Sequence, residues 1–173
     1  LRAFGGPVAA PSANPSGKIS PTRADHVLAG LAGRIAAVVD GGACAVGLES
    51  TIIGFDPAPT LLRPGGIPAE VIEDFLGQPL LLPQPDATRP NAPGQLDSHY
   101  APGAAVRLMV SHSEPGEVWI GFGRGAEGAA LNLSAAGDLV EAAANLFHFL
   151  READRLAGQV GRIAVAPIPD HGL

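Results

Sequence analysis

Several residue types are almost missing from this 173-residue chain: it holds one cysteine, one tryptophan, one tyrosine and one lysine. A single cysteine, Cys44, excludes an internal disulfide and any zinc cluster built on cysteines, and it points to a reducing compartment, the cytoplasm. Positive charge is scarce as well. Seventeen acidic residues against 11 basic ones leave a net charge of −6, so the surface as a whole does not attract a polyanion. No apolar run approaches the ~20 residues of a membrane span, and the opening LRAFGGPVAAPS lacks the order of a signal peptide. The 23 glycines and 17 prolines punctuate apolar runs without forming a repeat.

With 46% hydrophobic and 16% charged residues, the chain has enough material for one domain or two small ones, each with a modest core. LRAFGG reads as the end of an amphipathic helix stopped by two glycines, and DHGL follows directly on an apolar strand. Both ends are therefore expected to lie inside domains, as in a piece of a longer protein.

Along the chain, SPTRADHVLAGLAG predicts a helix, with Ser20 or Thr22 as cap, Pro21 in the first turn and Gly33 as stop. RIAAVVDGG predicts a strand, and LESTIIGFD with TLLRPGG predicts a hairpin around Asp56-Pro57-Ala58-Pro59. IPAEVIEDFLG predicts a helix with Val71, Ile72, Phe75 and Leu76 on one side. From Gln78 to Ala104 six prolines make a semi-rigid linker and a domain boundary. Its cluster SHYAP, with His99 and Tyr100, reads either as packing onto a neighbour or as a functional element. VRLMV, EVWIGFG, AALNLS and RIAVAPIP are strand-like, and 138–158 is the clearest helix, with Leu139, Ala142, Ala143, Leu146, Phe149, Leu150 and Ala153 at helical spacing. Residues 1–77, 78–104 and 105–173 thus read as an α/β unit, a linker and a small second α/β domain whose sheet packs on the long helix.

The pair Gly17-Lys18 invites comparison with a phosphate-binding P-loop, but Ser12 and Ile19 stand where that motif needs a glycine and a hydroxyl residue. What remains is a loop leading into a helix N-terminus, either an anion site or a capped, solvated turn. Ser50 and Thr51 beside Glu49 have no identifiable base for nucleophilic catalysis; they read as hydrogen-bond donors to a ligand or as groups satisfying a strand end. Arg63, at the end of an apolar strand, must pair with a carboxylate or meet a ligand anion. The five histidines show no metal-ligand spacing, His148 reads as surface or packing, and Cys44 reads as a buried small residue.

In order and spacing, APSANPSGKISPT, VVDGGACAVGLESTII, LLRPGGIPAEVIE and APGQLDSHYAP resemble the two-domain threonylcarbamoyl-AMP synthases, and FHFLREADRLAG followed by IAVAPIPDHGL resembles their C-terminal domain. The resemblance implies the distal half of a YrdC-like twisted mixed sheet with helices, a linker that acts as a lid, then a small Rossmann-like α/β domain. It implies an enzyme that combines L-threonine, bicarbonate and ATP into threonylcarbamoyl-AMP with release of pyrophosphate, magnesium accompanying ATP. A downstream transferase machinery then modifies tRNA, with a weak contact to double-stranded RNA or tRNA. Carried over by position, the resemblance puts Ala10 (through its backbone), Ser12, Asn14, Ser20, Arg63 and Tyr100 at ATP and Ser50 at threonine, with Thr51 in support; it assigns no nucleophile, base or metal ligand.

The family's proximal half, with its basic K-x-R element, has no counterpart here, so the chain alone is expected to be inactive or nearly so. Two alternatives share some of these motifs: a noncatalytic nucleotide- or RNA-binding module, and the YrdC-like domain of a hydrogenase-maturation carbamoyltransferase. The proline-rich linker and the following α/β domain argue against the second.

Overall fold

A computed structural model describes residues 2–83, 101–159 and 161–172. Its elements, in order, are α1 (Ala24–Leu31), β1 (Ile52–Gly54), β2 (Thr60–Arg63), α2 (Ala69–Leu76), β3 (Ala105–Arg107), β4 (Glu117–Gly121), β5 (Leu131–Asn132), α3 (Leu139–Ala157) and β6 (Arg162–Val165). The chain is α/β, as its sequence pattern predicts.

The second half carries the core. Strands β3, β6, β4 and β5 lie side by side in that order, every pair parallel, with Val118 opposite Ile163 and Ile120 opposite Leu131. Because side chains alternate along a strand, β4 and β6 feed two clusters. Ile120, Ile163 and Val165 meet Ala142 and Ala153 of α3, whereas Trp119 and Ala164 pack with Val110 and Ala126. The start of α3 is capped by Asp138, whose carboxylate accepts the Glu141 N–H at 2.8 Å.

In the first half the predicted hairpin forms: β1 and β2 are antiparallel, with a register shift between Ile52 and Ile53. Helix α2 forms as well and stops at Gly77, whose φ of 67° lies in the left-handed region that glycine adopts without strain. Other expectations need correction. RIAAVVDGG forms no strand; a strand exists only where a neighbour completes its hydrogen-bond ladder, none among the described residues does so, and Val39 is 95% exposed. The apolar side of α2 is only partly covered, Ile72 and Leu76 being half-buried and Phe75 89% exposed. Arg2–Phe4 form only a turn. Of the buried apolar residues only Ile19 belongs to this half, which has no core of its own among the described residues.

The start of α1 also differs from expectation. Neither Ser20 nor Thr22 caps it; Arg23 holds the cap position without a side-chain bond, and the helix runs from Ala24. His26 reaches back instead, its Nδ1 accepting the Thr22 N–H at 3.2 Å. That bond fixes the segment entering the helix, while the first-turn N–H groups of α1 receive no side-chain cap.

The halves meet along α3. The loop at Gly47 lies so close to that helix that a Cβ there would fall 2.5 Å from the Ala143 carbonyl oxygen. His26 meets His148, Arg151 donates to the Ile19 carbonyl, and the Gly172 N–H donates to Glu70 at 3.2 Å. An apolar cavity of about 130 Å³ separates Leu48 from Leu133, Leu146 and Ile168. Of the predicted linker, Leu81 pairs with the edge of β2, its N–H donating to the Pro59 carbonyl at 2.9 Å and its carbonyl accepting from Leu61 at 2.8 Å. Further on, the Ala101 N–H donates to the Gly17 carbonyl at 3.2 Å, while the Gly103 and Ala104 N–H groups donate to the Asp154 carboxylate at 2.9 and 2.7 Å.

Candidate functional site

A cavity of about 380 Å³ opens between the loop before α1, the irregular segment 38–49 and Phe147 of α3. Ser12, Ser20, Thr22, Arg23, Asp40 and Glu49 supply its polar lining. Prolines 11, 15 and 21 restrict the loop's backbone, and Asn14 pins it from within. The Asn14 amide donates to the carbonyls of Pro15 and Lys18 at 2.9 and 3.0 Å, leaving its own Oδ1 buried and without a partner among the described residues.

Four residues form one connected unit beside this cavity. The Ser20 hydroxyl lies 2.5 Å from Glu49 Oε1. Glu49 Oε2 lies 3.9 Å from Arg63 Nη2, and Arg63 donates from Nε and Nη2 to the Ser50 carbonyl at 2.9 and 2.7 Å. Arg63 thus meets a carboxylate and a carbonyl on the neighbouring segment. Thr51 is committed elsewhere: its hydroxyl donates to the Ile67 carbonyl at 2.8 Å and accepts the Ile67 N–H at 3.0 Å. This exchange ties the EST segment to the start of α2.

Among the residues singled out by sequence, Ser12 and Ser20 share the cavity lining, and Arg63 and Ser50 touch each other behind it. Ala10 is exposed and lies outside the lining. Among the described residues the hydroxyls of Ser12 and Ser50 make no intramolecular hydrogen bond. Tyr100 and His99 lie outside the described residues. Cys44 corrects its expectation: it is exposed and lines the cavity, because its segment runs as a loop held by the Cys44 N–H to the Thr22 carbonyl at 2.9 Å.

Sequence reasoning did not find Glu49 as a hub, and it gave no partner to His26 or His148. The two rings stack with centroids 5.3 Å apart. Burial pushes both imidazoles below their ordinary value, and the nearby positive charge of Arg23 acts in the same direction, while Asp25 opposes it. Among the described residues no group of three or more His, Cys, Asp or Glu side chains is placed to hold a metal ion, and no helix is long and apolar enough to cross a membrane.

The family model described as threonylcarbamoyl-AMP synthase, C-terminal domain, matches residues 67–173, and one described as telomere recombination matches residues 1–65. The Threonylcarbamoyl-AMP synthase of Bacillus subtilis is 46% identical over 118 residues, covering 66% of this chain and 34% of the relative. That of Pyrococcus abyssi is 38% identical over 168 residues, covering 86% of this chain and 49% of the relative. A crystal structure of P. abyssi Sua5 complexed with L-threonine superposes with a TM-score of 0.79 at 35% identity, covering 95% of this chain and 53% of that one. The chain thus spans about half the length, or less, of the curated relatives it matches.

Proposed function

Because the chain belongs to the threonylcarbamoyl-AMP synthase C-terminal domain family, we propose that it is part of an enzyme that joins L-threonine, bicarbonate and ATP into threonylcarbamoyl-AMP and pyrophosphate. The product serves the threonylcarbamoyladenosine modification of tRNA, through a transferase machinery that takes the activated group onward. The supporting observation is the Ser20–Glu49–Arg63–Ser50 unit, which links residues expected at the nucleotide to one expected at threonine. The relative structure with L-threonine supports the amino-acid substrate. We assign residues 1–77 to the nucleotide- and threonine-binding unit, 78–104 to the linker and 105–173 to the second α/β domain, and place the protein in the cytoplasm.

In this reading Ala10 (by its backbone), Ser12, Asn14, Ser20, Arg63 and Tyr100 face ATP, and Ser50 faces threonine with Thr51 in support. The chemistry needs an oriented threonine carbamate in line with the α-phosphate, so hydrogen bonds and fixed charge do more than a covalent nucleophile would. Arg63, already immobilised on the Ser50 carbonyl, supplies fixed positive charge as oxygen anions develop. A lid formed by the linker would exclude water from the carbamate and the mixed anhydride. Magnesium would enter on the ATP phosphates, and no group of three His, Cys, Asp or Glu side chains among the described residues is placed to hold it.

The test is pyrophosphate release by the full-length product of the reading frame, measured with ATP, L-threonine and bicarbonate together and with each omitted. Release that requires all three supports the proposal. Release indifferent to L-threonine overturns it.

A further inference from the structure

Ser20 and Glu49 together determine more than the shape of the cavity wall. A serine hydroxyl has one proton and two lone pairs, and an ionised carboxylate only accepts. At 2.5 Å from Glu49 Oε1, the Ser20 hydroxyl spends its one proton on Glu49. What it has left for the cavity is lone pairs. Its position is held, since the other Glu49 oxygen faces Arg63 at 3.9 Å and Arg63 is itself anchored on the Ser50 carbonyl. Ser20 is 5% exposed, so water competes little for this arrangement.

The surrounding charge has the same sense. Among the described residues two carboxylates, Asp40 and Glu49, line the cavity against one guanidinium, that of Arg23. Asp40 is turned toward its own turn, its Oδ1 accepting the Gly42 N–H at 2.9 Å. A phosphate oxygen approaching Ser20 would meet lone pairs and a neighbouring carboxylate, and would receive no proton from Ser20 itself. An ammonium, amine or hydroxyl would meet two oriented acceptors. Ser12, whose hydroxyl makes no bond among the described residues, keeps its proton for a ligand acceptor.

We propose that Glu49 is a positioning residue that fixes Ser20 as a hydrogen-bond acceptor, so that this wall of the cavity takes a donor group of the ligand and not a phosphate oxygen. The inference rests on the proposed function only in taking this cavity as a ligand site. The donor has two sources, the amine and ribose hydroxyls of a nucleoside or the ammonium of an amino acid.

The experiment titrates the 173-residue chain with adenosine, L-threonine and inorganic tripolyphosphate, following the backbone amide resonance of Ser20. Wild type, Glu49→Gln and Ser20→Ala are compared, each checked for an unchanged thermal midpoint. Wild type is expected to bind adenosine or L-threonine at Ser20 in preference to tripolyphosphate, and the probe that binds identifies the source. In Glu49→Gln the new amide can donate to Ser20 and free its proton, so the donor probe should weaken by about tenfold while tripolyphosphate holds or gains. Ser20→Ala should weaken the donor probe alone. Tripolyphosphate as the preferred wild-type ligand at Ser20, donor probes unaffected by Glu49→Gln, or no probe acting on Ser20 each overturns the proposal. Pyrophosphate release by the full-length product decides the synthase reading separately, since either result can occur without the other.

Discussion

His26 Nε2 lies 3.1 Å from His148 Nδ1, across the junction between α1 and α3. Because His26 Nδ1 accepts the Thr22 N–H, the His26 proton sits on Nε2 and points to an unprotonated His148 Nδ1. The chain of bonds holds one arrangement of protons only. A proton added at either Nδ1 puts two N–H groups face to face.

Stability should therefore depend on pH in one direction. Both histidines have folded-state values below the ordinary 6.5, so the unfolded chain binds more protons as the pH falls past that value. The contribution is fully present above about pH 6.5 and declines below it. Arg23 and Arg151 oppose protonation at this junction, while Asp25 and Glu152 favour it. Urea midpoints measured across this range should fall on acidification, and His148→Gln should flatten the slope; an unchanged slope would remove the pair as its source.

A second acid transition should be separable from the first. Glu117 accepts two hydrogen bonds from Arg107, at 3.0 and 2.7 Å, and these, with the Glu114 N–H at 2.8 Å, hold its carboxyl down at about 2. Its depressed value contributes stability that is present above the unfolded-state 4.5 and is lost as the pH falls from there toward about 2. Arg107→Gln should shrink the pH dependence in that window, leaving the share held by the Glu114 N–H and by Glu70 and Glu152, and should leave the histidine window untouched.

Core substitutions should divide the chain sharply. Ile163 is fully buried against α3, and Ile163→Ala should cost about 2–5 kcal/mol. Val39→Ser, at a position 95% exposed, should stay within about 0.5 kcal/mol of wild type. Denaturant unfolding of the two variants checks both.

A methyl group at position 65 should disturb the site through the backbone. A Cβ on Gly65 would lie 2.4 Å from the Glu49 carbonyl oxygen and from the Thr51 nitrogen, so Gly65→Ala must push the EST segment away. In the full-length product, displacement on the order of 1 Å should lower pyrophosphate release by about 10²-fold. Gly125→Ala serves as control, since a Cβ there meets nothing within 4 Å and its backbone lies outside the left-handed region. Equal activity in the two variants would mean that the segment's position does not matter to the reaction.

Removing the Arg63 guanidinium should act more selectively. Arg63→Lys keeps a charge but cannot hold the Ser50 carbonyl with two donors in one plane, so it should lose most of the activity that Arg63→Ala loses. Initial rates of pyrophosphate release with varied ATP and varied L-threonine test this; a fully active Arg63→Lys would reduce Arg63 to a point charge.

What the sequence disclosed depends on how local each signal was. The periodicity of Leu139, Ala142, Leu146, Phe149 and Ala153 located α3, and Asp56-Pro57-Ala58-Pro59 marked the hairpin, because turn chemistry and helical spacing act within a few residues. RIAAVV misled because an apolar run says nothing about whether a neighbouring strand is present. Ser12 and Ser20 were recoverable from one motif, whereas the tie between His26 and His148 spans 122 positions and leaves no local trace. Glu49 stood beside Ser50 and Thr51 in the motif, yet its contact with Ser20 depends on how the 20–49 segment folds back on itself.

Ala101 to Ala104 act as a rivet. One N–H is fastened to Gly17 in the first half and two are fastened to Asp154 on α3, so only a few peptide units separate the fastenings. At about 3.3–3.6 Å per extended residue, the play in this joint is limited to a few residue lengths. Any rocking of the second sheet against the loop that carries Asn14 must therefore stay small or begin by breaking one of these three bonds.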